Sequence, residues 1–201
     1  MTPEPRPSKR AKYGLILASL LLSGFALIAW TQTWLTVELE AGAPTTTVAV
    51  DGAIAAPALA ALALAGLALS AALAIAGLLF RILLGVLDIL LGGCIALSAV
   101  LVLRAPVAAS EAAVTDVTGI AGADSIAGLV SATSLTLWPA IALATGILLA
   151  IVGVGVVLTA KRWPSSPRKY SAVRLEPVDS DAMPDSVDSW DDLTRGDDPT
   201  R

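Results

Sequence analysis

The chain has 201 residues, 56% apolar and only 15% charged, with a mean hydropathy of +0.78 and a formal net charge of −4. A water-soluble domain carries roughly a quarter of its residues as charges, and one core of this size cannot hide the apolar surplus. Long unbroken apolar runs therefore make lipid the solvent.

Histidine is absent, which removes the commonest general base and metal ligand. The single cysteine, Cys94, can form neither an internal disulfide nor a zinc or iron–sulfur site. Inside an apolar run it reads as a small, inert hydrophobe. Phosphate-binding glycine loops, dinucleotide fingerprints and acyl-enzyme motifs are all missing. The chain thus reads as non-enzymatic, with no catalytic residue, cofactor, metal or nucleic-acid partner expected.

A hydrocarbon core of ~30 Å needs about 20 helical residues. Residues 1–13 form a basic N-terminus with Arg6, Lys9, Arg10 and Lys12, and residues 14–33 form a first apolar span. That span is longer than a signal-peptide core and is expected to be a retained anchor. Next, residues 33–40 alternate apolar and polar, a Gly/Pro break follows, and residues 45–50 are rich in Thr and Val. This pattern predicts a small extracytoplasmic β-hairpin. Alone it would be marginal in water, so it must lean on the bilayer surface or on the second outer loop.

The apolar block from 54 to 103 would be about 75 Å long as one helix, so it must fold back. Its only charges are Arg81 and Asp88. Because arginine at the bilayer centre costs ~2.5–3.5 kcal/mol, the turn is expected at Arg81, giving spans of 54–80 and 82–103. The second outer loop, 105–134, is small and polar, with room for a short helix. The last span, 135–160, ends at Lys161-Arg162. The expected fold class is an all-α membrane protein, a four-helix transmembrane bundle over residues 14–160. A polar cytoplasmic tail, 161–201, is basic and then acidic, and too polar to fold alone.

Lys and Arg flank the first and last spans and the turn at 81, while the outer segments are nearly free of them. By the positive-inside rule both termini are expected to lie in the cytoplasm. Trp30, Trp34 and Trp138 fall at the outer boundary; Tyr13, Phe80 and Trp163 fall at the inner one, as expected of an interfacial belt. Ala142, Gly146 and Ala150, and likewise Gly66, Ser70 and Ala74, repeat at four-residue spacing, which allows close helix approach.

Asp88 lies two helical turns from Arg81 on nearly the same face. An acid at that depth is a functional candidate by default. It reads as a proton- or substrate-coupling group, as a neutral acid, or as a carboxylate met by a snorkelling Arg81. In the tail, the run Ser189-Trp190-Asp191-Asp192-Leu193-Thr194-Arg195-Gly196 combines a capping-box-like start with a closing glycine. Tryptophan is a typical interface anchor, so Trp190, Asp191, Leu193, Arg195 and Gly196 are partner-docking candidates; the rival reading is a passive solvated tail.

Several of these pieces together resemble the tryptophan-associated transmembrane family of high-GC Gram-positive bacteria. They are Thr33-Trp34-Leu35-Thr36, the Arg81-led third span, Trp138-Pro139, Arg162-Trp163-Pro164 with Arg168-Lys169-Tyr170, and the closing run from Ser189 to Thr200. The resemblance implies a small four-span protein associated with tryptophan biosynthesis, and no established reaction comes with it. Two functions follow as expectations. One is an accessory or scaffold protein that docks a cytoplasmic partner through its tail. The other is a small carrier or exporter of tryptophan or a related aromatic metabolite, with Asp88 as the coupling group. The bilayer is the expected environment in both.

Overall fold

The computed structural model describes residues 9–40 and 46–163. Four helices are long and apolar enough to cross a membrane. They are α1 (Lys9–Trp30), α3 (Ala58–Ile75), α4 (Leu78–Arg104) and α7 (Trp138–Thr159). Between them lie β1 (Thr33–Leu39), β2 (Thr46–Asp51), the short α2 (Gly52–Ala55), α5 (Pro106–Thr118), α6 (Ala123–Leu129) and β3 (Val130–Leu135). A 3-10 turn, Ala160–Arg162, ends the described chain.

The long helices form a ring in the order α1, α3, α4, α7, with α7 closing back on α1. Lipid-facing side chains such as Leu79, Leu90 and Leu158 are exposed, whereas Leu59, Leu73, Ile95 and Leu149 are fully buried between helices. The closest pair is α4 with α7. A Cβ added at Gly92 would stand 2.5 Å from Ala150 N and 2.6 Å from Gly146 O; one at Gly146 would stand 2.5 Å from Ala96 N. One heptad along, a Cβ at Gly153 would stand 2.7 Å from Ile89 N. The backbones touch because glycines at seven-residue spacing on both helices leave no side chain between them. The four-residue stripe on the last span was expected; its glycine partners on α4 are Gly85 and Gly92.

The helix boundaries depart from expectation in ways with physical causes. The turn between α3 and α4 lies at Ala76 and Gly77, and Arg81 sits inside the first turns of α4, 4% exposed. Its Nε donates to Ala76 O at 2.8 Å, so the charge is met from within the protein and need not mark the bend. The second span starts later than position 54 because Pro57 follows Ala56, which is held outside the helical region at φ −142°; the residue before a proline avoids helical geometry. The last helix starts at Trp138, with Pro139 in its first turn.

The expected hairpin is present, and it is larger than expected. β1 pairs antiparallel with β2 through Val37↔Val48 and with β3 through Thr36↔Ser134, giving a three-stranded sheet in the order β2-β1-β3. One of the two supports left open is seen: the segment after α4 braces the hairpin, supplying β3 together with α5 and α6. Leu35, Val37, Leu39, Val48 and Val50 form the buried face of the sheet, joining Val114 of α5 and Ile126 of α6 in one core. Gly119 closes α5 in the left-handed conformation, φ 72°.

Trp34 is a correction. It does not anchor the protein at the lipid boundary; it is completely buried. The register of β1 with β2 steps from Thr33↔Asp51 to Leu35↔Val50, leaving Trp34 as the extra residue of a bulge. A bulge re-aims its side chain, which is why Trp34 and Leu35 are both buried although adjacent. The indole Nε1 donates to Ala29 O at 2.7 Å. The ring lies over Gly52, where a Cβ would come within 2.6 Å of Nε1. Thr136 clamps the same junction, its Oγ1 donating to Thr33 O at 2.8 Å and its N–H to Trp34 O at 2.9 Å. Trp163 is buried as well, at 4% exposure, while Tyr13 and Phe80 are exposed.

Candidate functional site

Charge is sorted to the two ends of the bundle. At one end Arg10, Lys12, Arg81, Lys161 and Arg162 gather around the α3–α4 turn and the termini of α1 and α7. There Lys12 Nζ donates to Ala74 O at 2.9 Å. The opposite end, with the sheet, carries Glu38, Glu40, Asp51, Glu111, Asp116 and Asp124 and, among the described residues, the single base Arg104. An open groove of about 690 Å³ lies there between α5, α6 and α2, bordered by Glu111 and Asp116.

Arg81 is held at the basic end. Besides the bond to Ala76 O, its Nη1 donates to Trp163 O at 3.4 Å. The guanidinium lies over the Trp163 ring, 5.4 Å from its centre, a cation–π arrangement strengthened by low local polarity. Trp163 Nε1 in turn donates to Thr159 Oγ1 at 3.0 Å. Arg81 therefore ties the α3–α4 turn to the end of α7.

Asp88 lies inside the bundle with no solvent exposure. Oδ1 accepts a hydrogen bond from Ser19 Oγ of α1 at 3.2 Å, and Oδ2 has no hydrogen-bond partner. One turn along α1, Ser23 is also fully buried and its Oγ is likewise without a partner. Ser23 faces Gly66 of α3, where no side chain intervenes. Ser70 of α3 is buried too and satisfies itself on Leu67 O at 2.7 Å. The polar seam therefore runs from Asp88 through Ser19 to Ser23, where α1 meets α3 and α4.

Sequence reasoning singled out Asp88 and Arg81 and missed Ser19 and Ser23. The signal was present: between Gly14 and Trp30 these two serines, four residues apart, are the only hydroxyl-bearing residues. Cys94 is exposed on α4, facing outward from the bundle. Among the described residues no group of three or more His, Cys, Asp or Glu could hold a metal ion. The docking candidates Trp190, Asp191, Leu193, Arg195 and Gly196 lie outside the described residues.

A family model described as tryptophan-associated transmembrane protein matches residues 16–200. No curated protein and no solved structure matches the chain. Family and helices together make this a multi-pass membrane protein whose bundle stands in lipid.

Proposed function

Because the chain belongs to the family of tryptophan-associated transmembrane proteins, we propose that it is a non-enzymatic accessory protein of tryptophan biosynthesis, held in the bacterial cytoplasmic membrane with both termini in the cytoplasm. In this reading the bundle is an anchor, and the tail docks a cytoplasmic partner through Trp190, Leu193 and Arg195. One observation carries it: the family match does not stop at the apolar helices but runs on through the polar tail to residue 200. The backbone-to-backbone seam of α4 and α7 fits an anchor, since glycine contacts of this kind favour one fixed packing.

The test uses the full-length protein in its native membrane, with a photoreactive phenylalanine analogue in place of Leu193. Irradiation is expected to give one discrete protein adduct, an enzyme of tryptophan biosynthesis, and Trp190→Ala is expected to abolish it. Adducts with lipid alone, or the same adducts with and without Trp190, would remove the proposal.

The orphaned Oδ2 of Asp88 favours a second reading, a small carrier of tryptophan or a related aromatic metabolite in which Asp88 couples movement to ion flow. Vesicles containing the protein would then show tryptophan or indole flux above empty vesicles, and Asp88→Asn would abolish it. Flux equal to that of empty vesicles rejects this reading.

A further inference from the structure

We propose that Asp88 is an intramembrane proton-binding site, held as a neutral carboxylic acid beside Ser19 of α1. The inference stands apart from tail docking and is necessary, though not sufficient, for the carrier reading.

Depth comes first. Asp88 is ten residues into α4, roughly 15 Å along the helix and so near the middle of a ~30 Å hydrocarbon core. The partners come next. An ionised carboxylate has about four acceptor sites to fill, and buried polar groups are normally satisfied. Asp88 receives one bond, from Ser19, and Oδ2 receives none.

The surrounding charges are equally telling. On α1 the described cations Arg10 and Lys12 sit at the basic end, and α3 and α7 carry no charged residue at all. Arg81, on the same helix as Asp88, donates to Ala76 O and Trp163 O at the turn. An uncompensated carboxylate at this depth would sooner take up a proton than stay ionised.

A neutral acid removes the cost of the buried charge: Oδ1 accepts the Ser19 hydroxyl, and Oδ2, which no donor reaches, carries the proton. A hard metal cation does not fit, because it would need about six oxygen ligands. Only Asp88 Oδ2 and Ser23 Oγ are uncommitted among the side chains of the seam; Ser70 Oγ is spent on Leu67 O.

Infrared spectroscopy of the full-length protein in lipid vesicles reads the protonation state directly. At neutral pH the wild type is expected to show the carbonyl stretch of a protonated carboxylic acid above the amide band. That stretch should vanish in Asp88→Asn and shift down when the chain is grown with aspartate labelled by heavy carbon in its carboxyl. Raising the pH should convert it into carboxylate bands. Coincident wild-type and Asp88→Asn spectra in the acid region, with the isotope shift confined to carboxylate bands, would overturn the proposal. If Asp88→Asn does not accumulate, the isotope comparison decides alone. The acid band should persist in Trp190→Ala, so loss of tail docking and loss of the proton site are told apart.

Discussion

Gly92 and Gly93 are adjacent on α4 and face opposite fates when each is replaced by alanine. A Cβ at Gly92 would meet Ala150 N at 2.5 Å, Gly146 O at 2.6 Å and Ala150 Cα at 3.0 Å, all backbone atoms of α7. None can rotate aside, so α4 and α7 must separate by the better part of an ångström. Overpacking of this kind costs ~1–3 kcal/mol. The separation also weakens contacts along the rest of the seam, since a gap of 0.5–1 Å already forfeits about a quarter to a half of each contact's dispersion energy. A Cβ at Gly93 meets nothing within 4 Å.

Both substitutions gain the same helix preference, up to about 1 kcal/mol, and the gain cancels when one variant is compared with the other. Gly92→Ala should therefore be less stable than Gly93→Ala by about 1–3 kcal/mol. Unfolding of each purified variant in mixed micelles of rising denaturing-detergent fraction, followed by helical circular dichroism, measures the difference. Equal midpoints for the two variants would refute the backbone-contact reading of the α4–α7 seam.

Trp34→Ala should destabilise the protein by ~3–5 kcal/mol through loss of a fully buried ring, and Trp34→Phe by about 1 kcal/mol through loss of the bond to Ala29 O; thermal unfolding in detergent checks the order, and a Trp34→Ala midpoint equal to that of wild type contradicts it. Arg81→Lys keeps the charge but cannot reproduce the forked donors or the stacking on Trp163, so a loss of about 1–2 kcal/mol is expected; an unchanged midpoint in the same assay would mean charge alone matters. In a Cys94→Ala background, cysteine at Thr47 should react with an impermeant maleimide on intact cells, and cysteine at Ser180 only after permeabilisation; labelling of position 180 on intact cells reverses the proposed orientation.

The number of long helices was legible because length and apolar continuity decide membrane crossing with little help from tertiary structure. Their ends were less so. The turn was assigned to Arg81 on the cost of a lone charge in lipid, yet Ala76 O and the Trp163 ring remove that cost, and Trp163 is 82 positions away in the sequence. The first two strands announced themselves by alternation. The third, Val130–Leu135, did not, because its burial pattern is largely exposed and its sequence VSATSL is small and polar; only pairing with β1 makes it a strand. Trp34 was misplaced for the same reason. The pair Trp34-Leu35 breaks strict alternation, which is the mark of a bulge, but the direction a bulge turns its side chain depends on Gly52 and Ala29. At the polar seam, Asp88 stood out by charge alone, while Ser19 and Ser23 became meaningful only once α1 was laid against α3 and α4.

The residues that carry the family resemblance divide by the kind of work they do. Thr33 to Thr36 and Trp138-Pro139 fall where the sheet joins the bundle, and Arg81 with Trp163 falls where the α3–α4 turn meets the end of α7. Each has a structural task that hydrogen bonding, burial or helix initiation explains, so none of them needs a ligand to account for it. The closing run from Ser189 to Thr200 is of another kind. It is rich in acids and has too few apolar residues to build a core, so packing in lipid gives no reason for a tryptophan and a leucine three residues apart within it. An apolar pair set among charges gains most when a partner buries it. That asymmetry is the ground of the docking proposal, while inside the bundle Asp88 keeps an Oδ2 that the packing does not satisfy.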